Sequence, residues 1–256
     1  MNIKKNVILL SLFSALTLGV SFGLTSKGYD NVKASDYELE IADWEDWKDG
    51  VVTFSFDDAG NEYNSHLKAV QELDKYNFKA TFNVVCDWMN DTLWNNYKDF
   101  ATNGHEIGSH SVSHSWDRSE YNTSKQTIEN YIKKPCLTLA YVNGTKDGDA
   151  SKNYYIACRT SSNTSSEPDY IINKNGPNDW YTLPALIIGN TGLNSYDFLK
   201  GKIEEAVNEK GWVIFIAHGL SGITGGSSFS PLNQQAFIDT LDWCSKNDIW
   251  VTSTAN

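Results

Sequence analysis

The sequence predicts an α/β fold built on a parallel sheet, and two observations carry that prediction. Short apolar runs alternate along the chain with segments of helical period, the order that lays strands side by side with helices over them. The residues able to do chemistry then stand where those runs end: Asp57 and Asp58 after VVTFSF, His110 after HEIGS, Tyr141 after CLTLA and His218 after WVIFIA. In a parallel α/β sheet, open or closed into a barrel, that rim is where sites are built.

VVTFSF is a buried first strand, and NSHLKAVQELDKYN follows with Leu67, Val70 and Leu73 at helix spacing. KATFNVV reads as a second strand, DTLWNNYKDFATNG as a helix closed by Gly104, and HEIGSHS as a third strand. SKQTIENYIKK is helical; CLTLAYVNG and YYIACRTSS are the fourth and fifth strands. A loop-rich stretch leads to the helix SYDFLKGKIEEAVNEKG, closed by Gly211. WVIFIAHG is then a strong buried strand, PLNQQAFIDTLDWCSKND a helix and IWVTST a last strand. The count is about seven parallel strands in a single domain, with no internal repeat and no linker to a second module.

Ahead of these elements, Lys4 and Lys5 precede the apolar stretch Val7 to Leu24, and Val32-Lys33-Ala34 has the form of a small-residue cleavage site. This is the layout of a secretory signal peptide, residues 1–34, and implies a secreted protein. The alternative is an uncleaved N-terminal membrane anchor, against which the Gly and Ser residues interrupt the run. Residues 35–46 form a polar lead-in and 47–256 the working domain, with no later segment apolar enough to span a bilayer. Removing residues 1–34 takes four lysines and Asp30 with it, moving the formal charge from −11 to −14. That balance argues against nucleic acid or an anionic surface as partner and suits a soluble monomer acting on a neutral polymer. Cys86, Cys136, Cys158 and Cys244 contain no CxxC pair. Either Cys136 pairs with Cys158, or all four are buried thiols.

Adjacent carboxylates repel, so Asp57 and Asp58 need a reason beyond capping a helix, for which one Asp suffices. A cation between them offsets both repulsion and lost hydration. Side chains alternate along a strand, so the two can take different roles only if the chain turns, and Ala59-Gly60 supplies a turn. His110 and His114, four apart in HSVSH, can meet one ion if the chain coils after the strand. Two His and one carboxylate leave zinc an open position for water.

FDDAG, HEIGSHSVSH, AYVNG and FIAH resemble, in order, motifs of the polysaccharide deacetylases, carbohydrate esterase family four, also called the NodB-homology domain. The resemblance runs from about Trp47 to Val251. It implies a distorted (β/α) barrel and one divalent metal ion, zinc or cobalt, held by Asp58, His110 and His114. It further implies Asp57 as general base, the backbone N–H of Tyr141 as oxyanion donor and His218 as general acid. The chain departs from the family where an Arg should steady the base, for that position is Thr138, and Ala140 replaces the usual Pro. Arg159 on the next strand is either the substitute or an ordinary surface residue. Asp179 in GPNDW is a candidate tuner of His218, although Gly176 occupies the first Asp of that longer motif. His66, on a helix face turned to solvent, and His105, at the opposite strand edge, read as structural. Trp88, Trp116 and Trp180 follow strands and could line a sugar groove, or simply pack.

Three functions compete. The first is a secreted metal-dependent deacetylase of a polysaccharide, acting on O-acetyl esters of acetylated xylan or a similar neutral glycan, or on N-acetyl groups of chitin-like or peptidoglycan sugars. The second is a non-catalytic carbohydrate-binding relative, favoured by Thr138 and Gly176 and opposed by the retained Asp57 and His218. The third is a non-haem iron oxygenase, which also uses two His and a carboxylate but needs no paired Asp.

Overall fold

The computed structural model describes residues 44, 48–161, 170–189, 192–224 and 229–256. The expected signal peptide, residues 1–34, and the lead-in apart from Trp44 lie outside them. In chain order the elements are β1 (Val51–Ala59), α1 (Tyr63–Asp74), β2 (Thr81–Val84), α2 (Asp91–Thr102), β3 (Glu106–Ser109), α3 (Glu120–Ile132), β4 (Thr138–Ala140) and α4 (Gly148–Ser151). Then come β5 (Ala157–Arg159), β6 (Ile171–Ile172), β7 (Leu186–Ile187), α5 (Tyr196–Asn208), β8 (Trp212–Ala217), α6 (Gln234–Lys246) and β9 (Trp250–Val251). Side-chain oxygens of Asn90, Ser195 and Asn233 accept the first free amides of α2, α5 and α6, which is why those helices begin where they do.

The strands lie in the order β5-β4-β3-β2-β1-β8, all parallel, with β7 parallel to β8 and β9 parallel to the first residues of β1. A parallel bridge from Arg159 to Leu183 carries β5 round to the segment that leads into β7, so the sheet curls into the expected distorted barrel. One strand breaks the parallel rule: β6 pairs antiparallel with the start of β8. Both β6 and β7 come from the stretch read as loop, because two residues are too few to display a period of two.

Alternation along β1 divides the interior in two. Val52, Phe54 and Phe56 face the helices and join the main core, where Phe54 meets Phe237 of α6 edge-on at 5.1 Å and Phe56 stacks on Phe82 at 5.2 Å. Each such ring contributes on the order of 1.5–3 kcal/mol by leaving water. Val51, Thr53, Ser55 and Asp57 face the inside of the curl. There Val51 packs with Trp212, Ile214 and Ile216, Thr53 accepts the Trp212 indole N–H at 3.0 Å, and Ser55 bonds Asn83 at 2.9 Å. The inner face thus runs from apolar at the strand starts to polar at the strand ends. Gly108 on β3 is needed for that polar end, since a Cβ there would fall 2.4 Å from Asn83 Oδ1.

Candidate active site

Asp57 keeps the inward alternation of β1, whereas Asp58 leaves it. Pairing with β2 slips between Phe56 and Ala59, and Asp58 takes a left-handed φ of +60°. The turn expected at Ala59-Gly60 therefore begins one residue earlier, as a bulge that re-aims one carboxylate relative to its neighbour. His114 has the same φ of +60° and Ser111 one of +74°. Non-glycine residues hold this conformation only where their surroundings enforce it. The Glu120 carboxylate enforces it here, accepting from the amides of Val112 and Ser113 and from the Ser113 hydroxyl, while Ser111 Oγ accepts the Ser115 amide.

His110 Nδ1 donates to the Ala140 carbonyl at 2.8 Å, which aims Nε2 at the carboxylates. Asp58 Oδ1 lies 3.7 Å from His110 Nε2 and 3.5 Å from His114 Nε2. The ring of Trp88 backs His114 at 5.1 Å. A small cation bound at about 2.1 Å spaces tetrahedral donors roughly 3.4 Å apart, so this trio has the dimensions of a three-ligand site. Asp58 Oδ1 is also buried without a hydrogen-bond partner, an arrangement that a cation would complete. Burial, with Asp57 alongside, raises the Asp58 carboxyl to about 6, and burial lowers the His110 imidazole to about 4. His110 is thus the neutral ligand that a metal requires. The residues fit the group.

Asp57 sits in a different field. Its Oδ1 accepts from Arg159 and, at 3.0 Å, from Asn83, while Oδ2 lies 3.9 Å from His110 Nε2. Arg159 Nε also donates to Ser55 Oγ at 2.9 Å. Burial pushes the Asp57 carboxyl up, but Arg159, with His110 and His218 adding to it, outweighs that and holds it well below the usual carboxylate range. Arg159 is 3% exposed, so it is no ordinary surface residue. Thr138, at the position where an Arg was looked for, bonds Glu106 at 2.6 Å, sharing that buried carboxyl with Thr81 and the Ala255 amide.

His218 shares a cleft of about 490 Å³ with Asp57, Asp58, His110, His114 and Asn143. Its ring meets Phe229 edge-on at 4.7 Å, and its Nδ1 is buried without a partner. Its backbone carbonyl accepts His66 Nε2–H at 2.8 Å. His66 Nδ1 in turn accepts from the Tyr97 hydroxyl at 2.8 Å, and that oxygen accepts the Gly60 amide at 3.3 Å. This directional chain joins the turn after Asp58 to the end of β8. It corrects the reading of His66 as a surface residue: the side chain is fully buried, and burial lowers its pKa to about 4.

Other expectations are also corrected. The Tyr141 amide donates to the Arg159 carbonyl at 3.1 Å as a rung of the β4–β5 ladder, so the expected oxyanion donor is already committed. Asp179 bonds the Tyr181 amide and the Thr182 hydroxyl in an exposed turn beside Lys152, outside the cleft that holds His218. Trp180 lies in a cavity with Trp44, Trp212 and Trp250 at the strand starts, away from the metal trio. Of the two cysteine readings the second holds: Cys136 and Cys158 are not bonded, and all four cysteines are buried thiols. Ser55, Asn83, Tyr97 and Phe229 drew no attention in the sequence, and no motif marks them.

Residues 45–152 match the polysaccharide deacetylase family. A gellan lyase of a Bacillus species is 32% identical over 141 residues, 51% of this chain but only 6% of that protein's length. Among solved structures, a family 4 acetyl xylan esterase from Clostridium thermocellum in complex with a cobalt ion superposes with TM-score 0.53 at 18% identity, over 80% of this chain and 88% of that one. A carbohydrate esterase family 4 pseudoenzyme from Bacillus anthracis gives 0.52 at 16% identity, over 80% of this chain and 64% of that one. At such identities the likeness carries the fold, which agrees with the barrel and rim described above. Asp57, Asp58, His110 and His114 thus all lie within the segment that matches the polysaccharide deacetylase family, and the fold of the described chain agrees with that of a solved family 4 esterase.

Proposed function

We propose that the protein is a secreted, metal-dependent deacetylase that hydrolyses O-acetyl esters of acetylated xylan or a similar neutral glycan. The observation that carries the reading is Asp57, tied back by buried Arg159 and Asn83, beside the Asp58–His110–His114 trio. A protein that only bound sugar would gain nothing from a carboxylate anchored in that way. A bound zinc or cobalt ion would lower the pKa of water toward 7 and polarise the acetyl carbonyl. Asp57 presents Oδ2 to the attacking water and takes its proton, Oδ1 being held by Arg159. His218, across the cleft, delivers a proton to the departing sugar oxygen. An alkoxide departs more readily than an amine, and with the Tyr141 amide committed elsewhere, this site suits the ester better than the amide. The acidic chain favours a neutral glycan over an anionic wall polymer.

The test is acetate release by purified protein supplied with zinc or cobalt, from acetylated xylan and from chitooligosaccharides in parallel. Release from xylan alone supports the esterase; faster release from the chitooligosaccharides moves the assignment to an N-deacetylase. The committed Tyr141 amide favours one second reading, a glycan-binding relative without turnover. Glycan binding with no acetate from any substrate would establish that reading.

A further inference from the structure

A second cleft, of about 610 Å³, adjoins the metal trio and is lined by Ser115, Trp116, Arg118, Tyr121, Lys146 and Asp147 among others. Two loops serve both clefts: His114 faces the first and Ser115 the second, Gly144 the first and Thr145 the second. The rings of Tyr141 and Tyr121, one on each cleft, are 6.4 Å apart. Trp116 is 68% exposed, yet its loop is organised. Ser115 Oγ accepts the Asp117 amide at 3.2 Å, Asp117 Oδ1 accepts the Ser119 amide at 2.8 Å, and Arg118 Nε meets Asp147 at 2.8 Å, tying the loop after β3 to that after β4. A wide indole face is therefore held out to solvent without the ordering cost that a floppy loop would bring to binding.

We propose that this cleft is a glycan subsite, in which a pyranose unit of the polymer main chain stacks on Trp116 while its hydroxyls bond Arg118 and Asp147. The inference rests on the deacetylase reading for what occupies the neighbouring cleft. The chemistry selects a sugar because a pyranose has an apolar C–H face and a rim of hydroxyls. It meets here a flat aromatic surface flanked by planar donors and acceptors. The charge selects a neutral one: Arg118 and Lys146 are offset by Asp117 and Asp147 around the same cleft. An anionic polymer would find no net attraction there.

Titration calorimetry of the full chain with xylohexaose and with chitohexaose, for the wild type, Trp116→Ala and Trp116→Phe, tests the subsite without relying on turnover. Loss of one stacking contact should weaken hexamer binding roughly five- to tenfold in Trp116→Ala, with part of the affinity restored in Trp116→Phe. In parallel, the ratio of kcat/KM for acetylated xylohexaose over acetylated xylose should fall by a similar factor in Trp116→Ala. Equal affinity of wild type and Trp116→Ala for both hexamers, or no binding of either hexamer by the wild type at millimolar concentration, overturns the subsite. Trp116-dependent binding with no acetate release from any glycan leaves the subsite standing and removes the deacetylase. Acetate release with Trp116-independent binding does the reverse.

Discussion

Asp57 and Asp58 are chemically identical neighbours that the fold sets in opposite regimes. Burial beside a second carboxylate drives Asp58 up, whereas the Arg159 guanidinium brings Asp57 down. Asp58→Ala should therefore abolish metal uptake, whereas Asp57→Asn should bind metal as the wild type does and lose turnover by at least a hundredfold. Metal analysis by mass spectrometry beside acetate release separates the two, and full turnover in Asp57→Asn would end the division of labour. Removing Arg159 tests the same field from the other side. In Arg159→Gln a buried carboxylate loses its partner, which costs about 3–5 kcal/mol in urea denaturation at pH 7. A depressed native pKa adds stability above the unfolded carboxyl value near 3.9 and loses it as pH falls through the native one. The penalty of Arg159→Gln should thus shrink toward zero below about pH 4, and the acid limb of the pH–rate profile should move to higher pH.

Between elements, the working parts are joined by side chains whose separation in sequence hides the connection. Arg159 of β5 reaches Asp57 of β1 across 102 positions, and Tyr97 of α2, through His66 of α1, links Gly60 to the end of β8. Tyr97→Phe leaves His66 Nδ1 and the Gly60 amide without their partner in a fully buried place. It should cost about 1–3 kcal/mol. Because the chain of bonds ends at His218 of the cleft and at Gly60, two residues after Asp58, kcat should fall more than KM rises, where a variant that merely loosened the core would leave the kinetics of the folded fraction unchanged. The motifs themselves were legible: strand ends on a parallel sheet share a rim, so FDDAG, HSVSH and FIAH could be placed together from the order of elements alone. His66 was not. Leu67, Val70 and Leu73 define an apolar stripe on α1, and helical period allows the buried arc to extend to His66 without requiring it.

Across the molecule, stability should depend on pH through a histidine remote from the site. His105 is buried; its Nδ1 accepts the Ala80 amide at 3.2 Å, and its Nε2 lies 3.2 Å from Asp74, which also meets Lys79. Burial lowers its pKa to about 4, against 6.5 for an unfolded histidine. Between those values the unfolded chain holds the extra proton, so stability rises with pH and is lost on acidification from about 6.5 toward 4, by up to ~1.4 kcal/mol per pH unit. Urea midpoints of the wild type and His105→Gln at pH 7, 6 and 5 should show the shallower pH dependence in the variant. A slope unchanged by the substitution would mean that His105 titrates alike in both states.

Taken alone, the order of apolar runs determined the parallel α/β class, and the positions of Asp57, Asp58, His110, His114 and His218 at strand ends determined which groups could meet. Both follow from local periodicity, which a chain displays in its own residues. Tertiary structure decided what local pattern cannot encode. Curling of the sheet brought Arg159 of β5 to Asp57, a register slip turned Asp58 away from its neighbour, and a ladder bond claimed the Tyr141 amide expected at the oxyanion. Each of these depends on which strand lies beside which, and in what register, so it exists only once the sheet has closed.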